Sequence, residues 1–163
     1  MPSTAIRAAS IHRRSESADP EDALTDRSLS FLVRQAHRAF VARLADRLVP
    51  HDVSVAEWAV LRLLWLEEGF TQVALADRMR VRKASLTSVL FALERKGFLR
   101  RTQRGEDRRK YHLFLTRRGR ELETELLPIG AAINLMALTG IEPEDAGLAV
   151  SLLEKVIANL EAQ

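Results

Sequence analysis

The chain is 163 residues long, 47% hydrophobic and free of cysteine. It can bury a core as one domain or one domain with an appendage, and disulfides, thiolate zinc sites and thiol redox sensing are excluded. The net charge of +3 is unevenly placed: Arg82–Lys110 holds ten Lys/Arg against three Asp/Glu, whereas Glu121–Gln163 holds eight acidic residues against Lys155 alone. The first stretch suits a polyanion and the second repels one.

Residues 1–23 mix Ser, Ala, Arg and acidic residues without helical periodicity and read as a flexible tail. No signal-peptide pattern opens the chain and no apolar run approaches bilayer length, so a cytoplasmic location without membrane contact is expected. A long helix follows over about 24–49, with Leu29, Leu32, Val33, Ala36, Phe40 and Leu44 along one stripe and Pro50 at its end. Ser54-Val55-Ala56-Glu57 is a capping box, which opens a helix carrying Trp58, Leu61, Leu64 and Trp65 and ending near Gly69.

Thr71 caps a shorter helix, and after a turn at Met79-Arg80-Val81 comes a second one, about Lys83 to Lys96, closed by Gly97. Leu86, Val89, Leu90 and Leu93 fall on its inner arc; Ala84, Thr87, Ser88, Phe91 and Arg95 fall on the outer one, with Ser85 on the flank. Small and hydroxylated side chains at such a helix start allow close approach to base edges. Phe91 could touch a thymine methyl, but recognition helices read mainly from their N-terminal end, so packing against a neighbouring element is the favoured expectation for it.

Two strands are expected over 98–102 and 111–115, joined by a turn that contains Arg104, Asp107, Arg108 and Arg109. Arginines crowded on a hairpin tip after a helix-turn-helix suit a phosphate surface, and Asp107 is better placed to orient an arginine than to meet phosphate itself. Thr116 caps a further long helix to about Leu138, which Pro128 is expected to kink. After Gly140-Ile141-Glu142-Pro143 a last helix carries the stripe Leu148, Leu152, Leu153, Val156, Ile157 and Leu160. Stripes this apolar on terminal helices need a partner surface.

These residues together resemble the MarR family of bacterial transcriptional regulators. The wing signature D-x-R, five residues, L-T stands here as Asp107-Arg108-Arg109, Lys110 to Phe114 and Leu115-Thr116; Glu94-Arg95-Lys96-Gly97-Phe98-Leu99 precedes it and Thr116-Arg117-Arg118-Gly119 follows. The order of elements matches over residues 24–161. The resemblance implies a mainly α fold with a small β wing, in which a winged helix-turn-helix (54–116) is flanked by long dimerisation helices (24–49 and 117–161) within one domain, 24–163. It also implies a homodimer on a palindromic double-stranded operator, with the recognition helix in the major groove and a wing arginine in the minor groove.

On this reading DNA contacts come from Arg82, Lys83, Ser85, Thr87, Ser88, Arg104, Asp107, Arg108 and Arg109. Three positions depart from the common pattern: the glutamate frequent three residues after Thr71 is absent, Ser88 stands where arginine is common, and Phe91 where aspartate is common. These departures bear on base preference and not on the fold.

The resemblance further implies a small effector, an anionic aromatic acid or its thioester, that releases a repressor from DNA. Arg34, His37, Arg38, Trp58 and Trp65 are the candidate ligand residues, through charge pairing and stacking. The favoured expectation is plainer, with the two tryptophans as core residues and the arginines as solvated surface. The alternative is a DNA-binding protein, architectural or partner-regulated, without a small-molecule switch. No Gly-rich phosphate loop, nucleophile elbow or clustered acid–base set suggests an enzyme. His12, His37, His51 and His112 have no metal-ligand spacing, so neither metal nor cofactor is expected.

Overall fold

A computed structural model describes residues 28–103 and 110–162. The expected tail, positions 24–27 at the start of the first helix, and the turn bearing Arg104, Asp107, Arg108 and Arg109 lie outside the described residues. Contacts divide the chain into two units, Met1–Ala39 and Phe40–Gln163.

The described part of the first unit is the N-terminal half of helix α1 (Leu29–Leu48). The Ser28 hydroxyl accepts from the Phe31 amide at 3.3 Å, satisfying one orphan donor at the helix start. Leu29, Leu32 and Val33 of the expected stripe are all exposed.

The second unit holds the remaining elements. The end of α1 buries Leu44 and Leu48, and a single 3-10 turn over Val49–His51 ends at Asp52 in the left-handed conformation (φ 52°). Helix α2 (Val55–Leu66) opens on the expected capping box: the Ser54 hydroxyl accepts from the Glu57 amide and the Glu57 carboxylate from the Ser54 amide. Thr71 accepts from the Ala74 amide and starts α3 (Gln72–Met79), and Arg80, left-handed at φ 55°, turns the chain into α4 (Lys83–Arg95). Leu86, Leu90 and Leu93 form the buried arc of α4, against a core that includes Val60, Leu61, Leu64, Leu75 and Leu126. A continuous apolar cluster of this kind supplies most of the stabilisation of helices too short to persist alone.

Gly97 takes the left-handed conformation (φ 75°) that the closing position of α4 requires, then strands β1 (Leu99–Gln103) and β2 (Tyr111–Leu115) pair antiparallel from Leu99↔Leu115 to Gln103↔Tyr111. The first strand thus begins one residue later than the alternation predicts, because Phe98 is still closing the helix terminus with its amide on the Leu93 carbonyl. Alternation holds near the body of the protein, where Leu99, Leu113 and Leu115 are buried while Arg100 is exposed and Phe114 half-buried; Tyr111, on the same face as Leu113, is exposed at the far end of the ladder.

Thr116 caps α5 (Arg117–Ala137), accepting from the Gly119 amide at 3.1 Å and donating to the Gly97 carbonyl at 2.6 Å. The helix runs through Pro128 as one element. Gly119 lies so close to the end of α4 that an added Cβ would overlap the Phe98 carbonyl oxygen, an immovable backbone atom. Gly119→Ala is therefore expected to destabilise the protein by about 1–3 kcal/mol, read from denaturant unfolding. An unchanged midpoint would mean that the α5 start is free to shift.

Helix α6 (Pro143–Glu161) buries none of its residues, and Leu148, Leu152, Leu153, Ile157 and Leu160 are all exposed. Its last turn is tied to the turn after α3 by an Arg80–Glu161 ion pair. None of the helices among the described residues is long and apolar enough to cross a membrane.

Candidate nucleic-acid interface

The geometry around α4 begins with its start, which no side chain caps. Arg82 is the N-cap residue and makes no side-chain cap hydrogen bond; the Ser85 amide, at the position that Ser54, Thr71 and Thr116 cap in their own helices, donates to the Arg82 carbonyl at 2.9 Å and leaves the two amides before it open. Such an end carries partial positive charge, and the exposed side chains of Arg82 and Lys83 add two full ones. Ser85, Thr87 and Ser88 are exposed along the next turn and a half, as a face offered to DNA requires.

Gln72, the first residue of α3, braces this face. Its Nε2 donates to the Thr87 hydroxyl at 3.0 Å and to the Lys83 carbonyl at 3.2 Å, joining the two helices of the helix-turn-helix. The Thr87 hydroxyl itself turns back on the helix toward the Lys83 carbonyl, at 3.4 Å. A cavity of about 260 Å³ opens beside this brace, lined by Gln72, Lys83, Arg101, Lys110 and Tyr111 among others.

The far half of α4 meets the wing. Arg101 Nε approaches Glu94 Oε2 to 3.2 Å, an ion pair without hydrogen-bond geometry. Arg101 is half-buried, so part of the charge expected to meet phosphate is already neutralised within the protein. Arg100 is exposed, lies 5.3 Å over the Phe114 ring and donates to the Thr102 hydroxyl at 2.8 Å. The aromatic face and the hydroxyl hold a flexible cation on the outer side of the hairpin.

Phe91 departs from expectation. It does not pack against a neighbouring element but stays 61% exposed. The reason is angular: at 100° per residue it projects away from the Leu86, Leu90 and Leu93 arc, and no other element among the described residues covers that side. With Ala84, Thr87, Ser88, Glu94 and Arg101 it lines a wide hollow of about 590 Å³.

One buried polar cluster sits behind the interface. Glu57, 3% exposed, accepts from Lys96 Nζ at 2.9 Å, and the same ammonium donates to the Asp52 carbonyl at 2.6 Å. Lys96 is the C-cap of α4, so this pair fixes the end of the recognition helix to the start of α2. His51 Nδ1 lies 3.2 Å from Glu125 Oε2, a second link from this turn to α5. Farther out, Arg117 donates to Glu121 at 2.7 Å, and this hydrogen bond with its opposite charge raises the guanidinium above its ordinary value.

The candidate ligand residues lie in both units. In the first, Arg34, His37 and Arg38 are exposed, with Arg34 5.9 Å over the Phe31 ring. In the second, Trp58 is buried and Trp65 half-buried, both within or against the core as one of the two readings has it. The Trp65 indole donates to the Gly119 carbonyl at 2.9 Å, whereas the buried Trp58 indole nitrogen has no partner among the described residues. Gly130 leaves room for the Trp58 ring, which an added Cβ would meet at 2.9 Å. Gln72, Lys96 and Glu94 are not among the candidate site residues of the sequence, although a glutamine at the first position of a helix that faces a recognition helix is a usable signal.

Two helices at a tight turn, the second with an exposed polar face and a basic hairpin behind it, define a winged helix-turn-helix. Residues 53–111 match the family model described as the MarR family. The transcriptional regulator PA3341, of known crystal structure, is 34% identical, with a TM-score of 0.73 over 82% of this chain and 98% of that one. The DNA-bound transcriptional repressor CouR is 25% identical, with a TM-score of 0.70 over 80% of this chain and 92% of that one. Among curated proteins, the HTH-type transcriptional regulator TtmR of Methylorubrum extorquens (strain PA1) is 32% identical over 108 residues, 66% of this chain and 54% of the relative. The chain thus spans about half the length of that relative. It belongs to the MarR family of transcriptional regulators.

Proposed function

We propose that the protein is a homodimeric repressor which binds a palindromic DNA operator and is released by a small anionic aromatic effector or its thioester. The observation that carries the DNA-binding part is the exposed start of α4, where an uncapped helix terminus, Arg82 and Lys83 converge beside Ser85, Thr87 and Ser88. The DNA complex of CouR supports the same assignment, since that relative shares the fold at 25% identity. Among Arg104, Arg108 and Arg109 of the wing turn, one arginine enters the flanking minor groove, with Asp107 orienting it. The functional module is residues 24–163, with 54–116 as the winged helix-turn-helix and 24–49 and 117–161 as dimerisation helices.

The dimer follows from the apolar side chains left uncovered on α1 and α6. A C2 pair presents two recognition helices to half-sites one helical turn apart. The effector reading assigns Arg34, His37 and Arg38 to the anion and Trp58 and Trp65 to the ring. Titrating free and thioester-linked aromatic acids against the protein–operator complex tests it; if none changes the affinity, the protein is an unswitched DNA-binding protein.

Arg109→Ala should weaken operator binding by about 1–3 kcal/mol, because one arginine is lost from a narrow groove. Lys155→Ala, on the acidic terminal segment, should leave it unchanged. Fluorescence anisotropy at one fixed salt concentration compares the two. Equal effects would refute the proposed DNA face.

A further inference from the structure

We infer that the exposed face of α4 reads the C5-methyl groups of pyrimidines in the major groove, with Phe91 and the Thr87 methyl as the reading groups. The inference rests on the DNA-binding reading above and specifies what that interface recognises.

The purine edges of the major groove are read most strongly by Arg, Lys, Asn and Gln, each able to make two parallel hydrogen bonds. Between Ala84 and Glu94 the helix carries none of them. Its polar side chains over that span are Ser85, Thr87, Ser88 and Glu94, and two of these four are already engaged. The Thr87 hydroxyl accepts from Gln72 Nε2 at 3.0 Å and donates toward the Lys83 carbonyl at 3.4 Å. What Thr87 has left to offer a base is chiefly its methyl group. Glu94 could accept from a cytosine amino group, but it faces Arg101 at 3.2 Å.

What remains on this face is apolar. Ala84, Thr87 and Phe91 follow one another at helical spacings of three and four, on one stripe, and all three are exposed. An isolated exposed aromatic on a protein surface means little. Here the ring stands 61% exposed at the edge of a hollow of about 590 Å³ that the rest of the stripe lines. The surroundings select the occupant: Arg82 and Lys83 are exposed just before the stripe along α4 and Arg95 just after it, so cations that favour phosphate flank an apolar floor at its two ends. A nucleic acid major groove has that arrangement, with thymine methyl groups between two charged backbones. Gln72 is the positioning residue, since it holds the Thr87 hydroxyl away from the bases.

The test uses a duplex selected from a random pool, then resynthesised with each thymine replaced in turn by deoxyuridine, which removes the methyl and keeps every hydrogen-bonding group. Anisotropy at fixed salt should show about a four-fold loss of affinity for each methyl that is read, and ~16-fold when both half-sites lose one. Replacing cytosine by 5-methylcytosine at such a position should strengthen binding by a similar factor. Phe91→Ala and Thr87→Ser, both at exposed positions, should keep the wild-type melting temperature. At the positions each residue reads, the deoxyuridine penalty should vanish. Equal affinity for thymine and deoxyuridine at every position would overturn the inference while leaving the DNA-binding reading standing. A penalty unchanged in both variants would do the same. If no duplex is enriched or bound at all, the DNA-binding reading itself fails and the inference with it.

Discussion

Lys96→Met should destabilise the protein by about 3–5 kcal/mol, because it strands the Glu57 carboxylate in the core without its cation. Glu57 is 3% exposed, and its Oε2 is 2.9 Å from the Lys96 ammonium. The carboxylate would keep only the Ser54 amide at 2.7 Å, too little to replace the hydration it has lost. Lys96 also holds the Asp52 carbonyl at 2.6 Å, beside a residue in the left-handed conformation. The double variant Glu57→Gln/Lys96→Met should recover part of the loss, since it removes the uncompensated charge. Urea unfolding of the two variants and the wild type measures both effects. A single variant as stable as wild type would show that solvent reaches Glu57 and that the pair does not anchor α4. The functional cost should exceed the global one near the midpoint, because Lys96 is where the recognition helix joins the body of the protein.

Most of the fold was legible because its boundaries are set locally. The capping box at Ser54 and Glu57, the threonine caps at Thr71 and Thr116, and the closing glycine at Gly97 act within three or four residues of themselves, and each lies where the sequence puts it. The stripes of α1 and α6 were legible for the same reason, their periodicity being local even though their partner surface is not.

What escaped depends on pairs distant in sequence. Glu57 reads as half of a capping box; that its second oxygen-bound partner would be Lys96, 39 positions away, has no sequence signature. Gln72 and Thr87, 15 positions apart, meet only because Arg80 takes a left-handed turn, an uncommon conformation for a residue with a Cβ. Phe91 differs from expectation because its distance from the N-terminal end of α4 argues against base reading but does not supply a covering surface, and among the described residues no element lies over it. Thr87 and Ser88 lie on the outer arc of α4 with Ser85 on its flank, and each is exposed; the wing turn is carried by sequence pattern alone.

Introducing charge on α6 should dissolve the proposed dimer and, with it, operator binding. Leu148 and Leu152 are one helical turn apart, 56% and 50% exposed, on a helix that buries none of its residues. Leu148→Glu/Leu152→Glu places two carboxylates where the proposed partner surface needs apolar contact, and their counterparts add two more by symmetry. Burying them unpaired would cost more than the lost contacts themselves. Sedimentation should therefore show a monomer at micromolar concentration, with helix content by circular dichroism close to wild type. A monomer reaches one half-site at a time and loses the effective concentration that a linked pair provides, so operator affinity should fall by on the order of 100-fold. A half-operator should be bound about equally by variant and wild type, which separates loss of dimerisation from damage to the winged module. Lys155→Ala on the same helix serves as the control. A variant that sediments as a dimer with full operator affinity would remove α6 from the interface and leave its exposed leucines to another partner.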